Sequence, residues 1–155
     1  MMPEHQHKSE WSDLDGRLTG FGHCQKFRVY YEDTDFSGIV YHANYLKFIE
    51  RGRSDYIRLL GVHHSDLDAP EHGERLAMAV RHMDINFIKS ARIDDILVVE
   101  TRVGEIRGAR LVLDQQILRD KEILFTARVT VVVINREGKP RRLPKLMVDA
   151  LTSQG

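Results

Sequence analysis

This chain has almost no cysteine, no excess of either charge and no long apolar run. Cys24 is its one cysteine, which excludes an intrachain disulfide. It reads as a small residue at the front of a strand rather than as a nucleophile. Lys plus Arg number 23 and Asp plus Glu number 23, so the net charge is zero. Broad binding to a phosphate backbone needs a basic excess and is set aside, although a local basic patch is compatible with neutrality. Val129 to Ile134 is the longest strongly apolar run, far too short to cross a bilayer. Residues 1–20 hold Glu, His, Lys and Asp but no apolar signal core, so a cytoplasmic protein is expected. No repeat or low-complexity segment is visible.

A length of 155 residues suits one domain with a real core, and 42% apolar with 30% charged residues is an ordinary globular balance. Residues 1–22 are polar and irregular and read as a flexible N-terminal arm; the domain is expected over 23–152. His5, His7 and His23 carry no fixed ligand spacing, so a metal site is not expected there.

Gln25 to Tyr31 alternates as a strand, with Phe27, Val29 and Tyr31 on one face. An acidic turn with Gly38 as its breaker follows, then Asn44 as a candidate N-cap. A 3.6-residue wheel places Tyr45, Phe48, Ile49, Gly52, Tyr56, Leu59 and Leu60 on one stripe, and Gly61 ends the helix. Glycine inside a helix costs about 1 kcal/mol relative to alanine. Gly52 on the buried stripe therefore predicts a helix lying tight on a sheet. Beyond a polar connection, Ala77 to Phe87 alternates as a half-buried strand, with Ala77, Ala79, Met83, Ile85 and Phe87 facing inward. Strands are expected over 96–103, 110–118 and 123–134, separated by turns at 91–95, 104–108 and 119–122. Val129 to Ile134, apolar on both faces, predicts a central strand, and Pro144 opens a short last helix. Short links between strands imply an antiparallel meander, and the order of elements gives an α+β fold.

Glu32, Asp33 and Asp35 lie just ahead of the helix. On these residues alone a solvated acidic turn is the simplest account. A calcium loop would need more oxygen ligands, while two nearby carboxylates can poise one as a base. Gly38 lets the backbone approach a ligand, and Val40 to Ala43 leads into a helix start whose amides lack intrahelical partners. Such amides stabilise an oxyanion, each typically worth about 2.7–4 kcal/mol of barrier. A carboxylate upstream of such a helix start is a minimal kit for hydrolysing an acyl bond. Glu50 and Arg53 read as an intrahelical ion pair of about 0.2–0.5 kcal/mol.

The stretch Tyr31-Glu-Asp-Thr-Asp-Phe-Ser-Gly-Ile-Val-Tyr-His-Ala-Asn-Tyr45, with Glu50 and Arg53 after it, resembles the YbgC-type acyl-CoA thioesterases. These are a branch of the 4-hydroxybenzoyl-CoA thioesterase family in the hot-dog superfamily. The match falls on Asp33, Asp35, Gly38, Val40, Tyr41, His42, Tyr45, Glu50 and Arg53. The resemblance implies a hot-dog fold, a long central helix wrapped by a curved antiparallel sheet. It implies hydrolysis of acyl-CoA to free acid and coenzyme A. Asp35 would be the catalytic carboxylate, as nucleophile or general base, and His42 would stand beside it with its amide in an oxyanion hole. Asp33 would be structural, and Tyr41 and Tyr45 would pack, with Tyr41 and Gly38 bordering the substrate. Ser90 matches by position a stretch lining the site. Arg107 and Arg110 would meet the coenzyme A phosphates, with Arg141 and Arg142 a second basic cluster. No metal or cofactor is implied, since coenzyme A belongs to the substrate. A homodimer or homotetramer is implied, and an acyl carrier protein or a bacterial cell-envelope system is left open as a partner. A non-catalytic acyl-CoA or acyl-carrier-protein binding module is the alternative from another functional class. A hot-dog dehydratase, whose His-with-acid motif is missing, ranks last.

Overall fold

A computed structural model of the chain describes residues 13–63, 67 and 73–153. His5 and His7, most of the expected arm and part of the polar connection lie outside these. The elements run β1 (Arg17–Leu18), β2 (His23–Arg28), a 3-10 turn (Tyr31–Asp33), α1 (Asn44–Leu59), β3 (Ala77–Phe87), β4 (Ile96–Arg107), β5 (Arg110–Arg119), β6 (Glu122–Ile134) and α2 (Lys145–Thr152). The sheet has six strands in the order β1-β2-β4-β5-β6-β3, every pair antiparallel. β4, β5 and β6 form the expected meander. β3 joins it from the far side by pairing with β6, which makes β6 internal, as its two-faced apolar run predicted.

One face of the sheet carries α1. Odd-numbered residues of β5 and β6 line that face: Leu111, Leu113, Gln115 and Ile117, then Phe125, Ala127, Val129, Val131 and Val133 are all buried. α1 buries Tyr45, Phe48, Ile49, Gly52, Arg53, Tyr56 and Ile57, an unbroken i, i+3, i+4 stripe. A Cβ at Gly52 would stand 2.7 Å from Val99 Cγ1, so the helix lies on β4 at a distance only glycine permits. Leu59 is largely off the stripe because the helix ends there; the chain leaves it at Gly61, with φ +91°. α2 buries Met147 and Leu151 against the same core.

Several boundaries differ from the sequence reading. β2 stops at Arg28, and Tyr31 is 82% exposed rather than on an inward face, because the chain turns into the 3-10 turn after Val29. Residues 13–22 are tied to the sheet: Arg17 and Leu18 pair with Cys24 and His23, and Arg17 bonds Asp13. Asn44 does not cap α1. It is the first helical residue, and its Nδ2 donates to the Asp33 carbonyl at 2.8 Å. β4 continues through the expected 104–108 turn by means of a bulge at Gly104 and reverses only at Gly108 and Ala109. In β3 a bulge at Arg81 shifts the register between Val80 and His82. Met83 and Ile85 face the core as expected, but before the bulge Met78, not the exposed Ala77, does so. Among the described residues no helix is long and apolar enough to cross a membrane.

Candidate active site

The acidic stretch folds as two nested turns. Asp33 closes the first: its Oδ2 accepts from the Tyr30 NH at 2.9 Å, and its carbonyl accepts from the Tyr41 NH and from Asn44. Its role is to fasten the loop to the helix start. Asp35 opens the second, in which the Gly38 NH donates to the Asp35 carbonyl and the Asp35 NH to the Ile39 carbonyl. Gly38 takes φ +83° to close that turn, and a Cβ there would meet open space, so its part is conformational. Bridges from Thr34 to Val40 and from Ile39 to Arg92 brace the loop on its flanks.

The Asp35 carboxylate is half-buried and makes no salt bridge among the described residues. Its Oδ1 accepts from the Ser37 hydroxyl at 2.5 Å and the Ser37 NH at 2.8 Å. These two bonds, the hydroxyl foremost, hold its pKa below the usual aspartate range, so the acid stays ionised. It faces a cleft of about 340 Å³ shared with Tyr41, His42, Tyr45, Phe87 and Ser90, among others. The NH groups of Asn44 and Leu46 donate to Tyr41 and Ala43, whereas those of His42 and Ala43 donate to no acceptor among the described residues.

The cleft wall is aromatic. The exposed His42 ring lies 4.5 Å from Tyr41 and meets Phe87 edge-on at 6.3 Å. Phe87 in turn packs on Tyr45 and Phe125, and those two rings stack with planes 8° apart. Tyr45 does more than pack. Its hydroxyl accepts the Ala91 NH at 2.9 Å, fixing the segment after β3 against α1. Burial raises the Tyr45 pKa, which keeps the phenol neutral. A charged brace lies beside that segment. Arg119 bonds Asp95, Glu122 and the Ser90 carbonyl, and Lys89 bonds Glu122 at 2.6 Å.

Of the residues singled out in the sequence, Asp35, Tyr41, His42 and Ser90 share one cleft, and Gly38 shapes its turn from outside the lining. Phe87, Ile88 and Lys89 join them, as part of the stretch around Ser90 that the resemblance implied. Arg107 and Arg110 lie elsewhere, with Arg81 on a cleft of about 430 Å³ at the Gly108 hairpin. In the β5–β6 register Arg110 faces Val132 and Ile117 faces Phe125. The arginines thus stand about 23 Å along the strands from the aromatic wall. Arg141 is paired with Glu74 at 2.6 Å. The expected Glu50–Arg53 pair makes no direct contact, although the Glu50 charge still acts on Arg53 at longer range and opposes the effect of its burial. Arg53 is buried and donates to Gln115 Oε1 at 3.1 Å, while Gln115 Nε2 donates to the Ile49 carbonyl and Thr101. Among the described residues no three His, Cys, Asp or Glu groups are placed to hold a metal ion.

The family model of the thioesterase superfamily matches residues 37–126. The acyl-CoA thioester hydrolase YbgC of Escherichia coli O157:H7 is 42% identical over 123 residues, spanning 78% of this chain and 89% of that protein. The acyl-CoA thioesterase YbgC of Haemophilus influenzae is 40% identical over 119 residues, 76% of this chain and 85% of that protein. Among solved structures, a probable thioesterase from Bartonella henselae superposes with a TM-score of 0.76 at 50% identity, over 79% of this chain and 99% of the other. The matched span runs from the Asp35 turn through α1 and into β6, and the hot-dog arrangement is shared, so the chain belongs to the thioesterase superfamily.

Proposed function

We propose that this chain hydrolyses acyl-CoA thioesters to the free acid and coenzyme A, with Asp35 as the reacting carboxylate. The carrying observation is an ionised Asp35 on an open aromatic cleft, with no salt bridge among the described residues, beside His42 and Ala43 amides that have no acceptor among them. The named activities of the YbgC relatives support the same class of reaction.

In this reading the acyl group lies on Tyr41 and Phe87 with its carbonyl oxygen toward the His42 amide. Asp35 attacks the carbonyl carbon, the C–S bond breaks, and coenzyme A leaves as the thiolate. Water then cleaves the mixed anhydride, returning Asp35 and releasing the acid with one proton. In the other route Asp35 takes a proton from a water that attacks the carbonyl directly. A carboxylate held below its ordinary pKa is a weak base at neutral pH, which favours direct attack. An acyl adduct on Asp35 in rapid-quench mass spectrometry supports that route; its absence during steady turnover favours the base. Both routes use only this chain's groups and water.

Arg81, Arg107 and Arg110 offer the cations that the coenzyme A phosphates need, but from the far end of the sheet. A homodimer or homotetramer, in which a second copy brings its hairpin near this cleft, would unite them. The outer edge of the eleven-residue β3, with Val80 47% and Phe87 51% exposed, is a surface suited to such pairing. Light scattering at micromolar concentration tests the assembly, and a monomer would refute it. The catalytic reading is tested by thiol release from a panel of acyl-CoAs. Sustained release by the wild type and none by folded Asp35→Asn is expected; equal rates would remove Asp35 from its role.

A further inference from the structure

The Asp35 cleft is built from two segments that meet only in the fold: the acidic turn and the turn from Ser90 to Asp95 between β3 and β4. Backbone bonds zip the two together. The Val40 NH donates to the Ala91 carbonyl at 2.9 Å, the Ile93 NH donates to the Gly38 carbonyl at 3.2 Å, and Ile39 bridges Arg92. The position of Asp35 against the Ser90 wall is therefore only as fixed as the 90–95 turn. The sequence of that turn works against it at one point: Asp94 has φ +72°, a left-handed conformation that costs a residue with a side chain about 1 kcal/mol. The Tyr45 hydroxyl holds the middle of the turn at the Ala91 NH. Its two ends are held by Arg119, the last residue of β5. Arg119 Nη1 donates to Asp95 Oδ2 at 2.8 Å and to the Ser90 carbonyl at 3.3 Å. The same Asp95 oxygen accepts the Arg92 NH at 2.8 Å, which closes the turn. Arg119 Nη2 donates to Glu122 Oε1, and Glu122 Oε2 accepts from Lys89, which lines the cleft beside Ser90. Arg119 is not among the residues that line the cleft.

We propose that Arg119 is a positioning residue for the Asp35 cleft: by gripping Ser90 and Asp95 together it fixes the 90–95 turn, and through the Val40–Ala91 and Ile93–Gly38 bonds it sets where the Asp35 turn stands against the Ser90 wall. This role rests on the reading of Asp35 as the reacting carboxylate. An exposed ion pair commonly adds less than about 1 kcal/mol to stability. Arg119 differs in what it joins, the two ends of one turn rather than two free side chains. A planar guanidinium serves a carbonyl and two carboxylates at once, whereas a lysine ammonium keeps the charge and loses the fixed fork. A misplacement of about 1 Å at a reacting group can cost about 10²-fold in rate, so a network that adds little to stability can still govern turnover.

The test is Arg119→Met in the full chain, assayed with the fastest substrate of the acyl-CoA panel. Its kcat should fall about 10–100-fold while KM moves less than about threefold, because Arg119 stands outside the cleft. Guanidinium ion, too dilute to denature, should restore part of the lost kcat to Arg119→Ala, and Arg119→Lys should stay impaired. Independently of turnover, the Val40 and Ile93 amides of Arg119→Met should exchange in heavy water at least about tenfold faster than in the wild type, with the amides of β5 as protected as before. Because Arg119→Met also removes an ion pair, Asp95→Asn is the second variant. It keeps an acceptor for the Arg92 NH and drops the charge that Arg119 grips. It too should lower kcat, and the double variant should be no slower than Arg119→Met alone. Wild-type kcat in Arg119→Met, with turnover still lost in Asp35→Asn, overturns the proposal and leaves Asp35 in its role. Unchanged exchange at Val40 and Ile93, or an equal loss of protection throughout the sheet, also overturns it and makes Arg119 an ordinary stabilising contact. Wild-type turnover by Asp35→Asn removes the reading beneath the proposal, and the proposal with it.

Discussion

The start and the middle of α1 treat polar groups in opposite ways. At the start, Asp35, His42 and two backbone amides remain open to a cleft, and the bonds that hold Asp35 come from its own turn. At the middle, Arg53, Gln115, Thr101 and the Ile49 carbonyl are buried in one network that joins helix, β4 and β5. Accessible groups at the start are free to meet a ligand and add little to folding. Buried groups at the middle set where the helix sits on the sheet and are exposed to the full cost of any missing partner. The two regions should therefore separate under mutation, the first losing rate without stability and the second losing stability first.

Asp35→Asn is the widest test of that separation. Thiol release should fall by about 10²–10⁴-fold, with the thermal melt unchanged. At the middle, Gln115→Ala should cost about 3 kcal/mol by chemical denaturation, since it strands the Arg53 charge and leaves two further buried groups unpaired. Gly52→Ala drives a methyl to within 2.7 Å of Val99 Cγ1, and the clash should outweigh the gain in helix propensity by about 1 kcal/mol, read as a lower Tm. Tyr45→Phe bridges the two regimes. It should lose about 1 kcal/mol of stability and also raise KM, because the Ala91 NH that holds the Ser90 segment loses its acceptor. The smallest effect is electrostatic. Asp35 has a depressed pKa, so its ionised form persists as pH falls until that lowered value is reached. Ser37→Ala removes the foremost stabilising bond, and the acid limb of the kcat/KM profile should move to higher pH. A melt that drops sharply in Asp35→Asn, or a stable but inactive Gln115→Ala, would erase the distinction.

Much of this architecture was legible from periodicity. The α1 stripe, the alternating β5 and β6, and the misplaced helical glycine each report a single strong physical constraint, namely which face is dry. Arg53 was misread because Glu50 three residues earlier offers a local explanation, while burial against Gln115 is a property of the folded sheet. Asn44 was misread for a similar reason: its amide serves the Asp33 carbonyl, a contact made only once the loop folds back. The bulges at Arg81 and Gly104 leave no mark in hydrophobic alternation beyond a local loss of phase. The acid, the histidine and the turn of the candidate site could be named because they lie within one short stretch. The opposite wall at Phe87 to Lys89 arrives from a distant strand, and only the resemblance around Ser90, not the residue pattern, pointed to it.

The extra residue at Arg81 changes the numbering of the inward row without changing its face. Ahead of it, even-numbered Met78 and Val80 border a cavity of about 170 Å³ under α1; behind it, odd-numbered Met83, Ile85 and Phe87 look toward the core and the aromatic wall. Val80 and His82 face consecutive residues of β6, so excising Arg81 would restore plain alternation with Val80 and Met83 still inward. What the strand would lose is the local bend and added twist of the bulge, and with them the angle at which its two halves meet the helix.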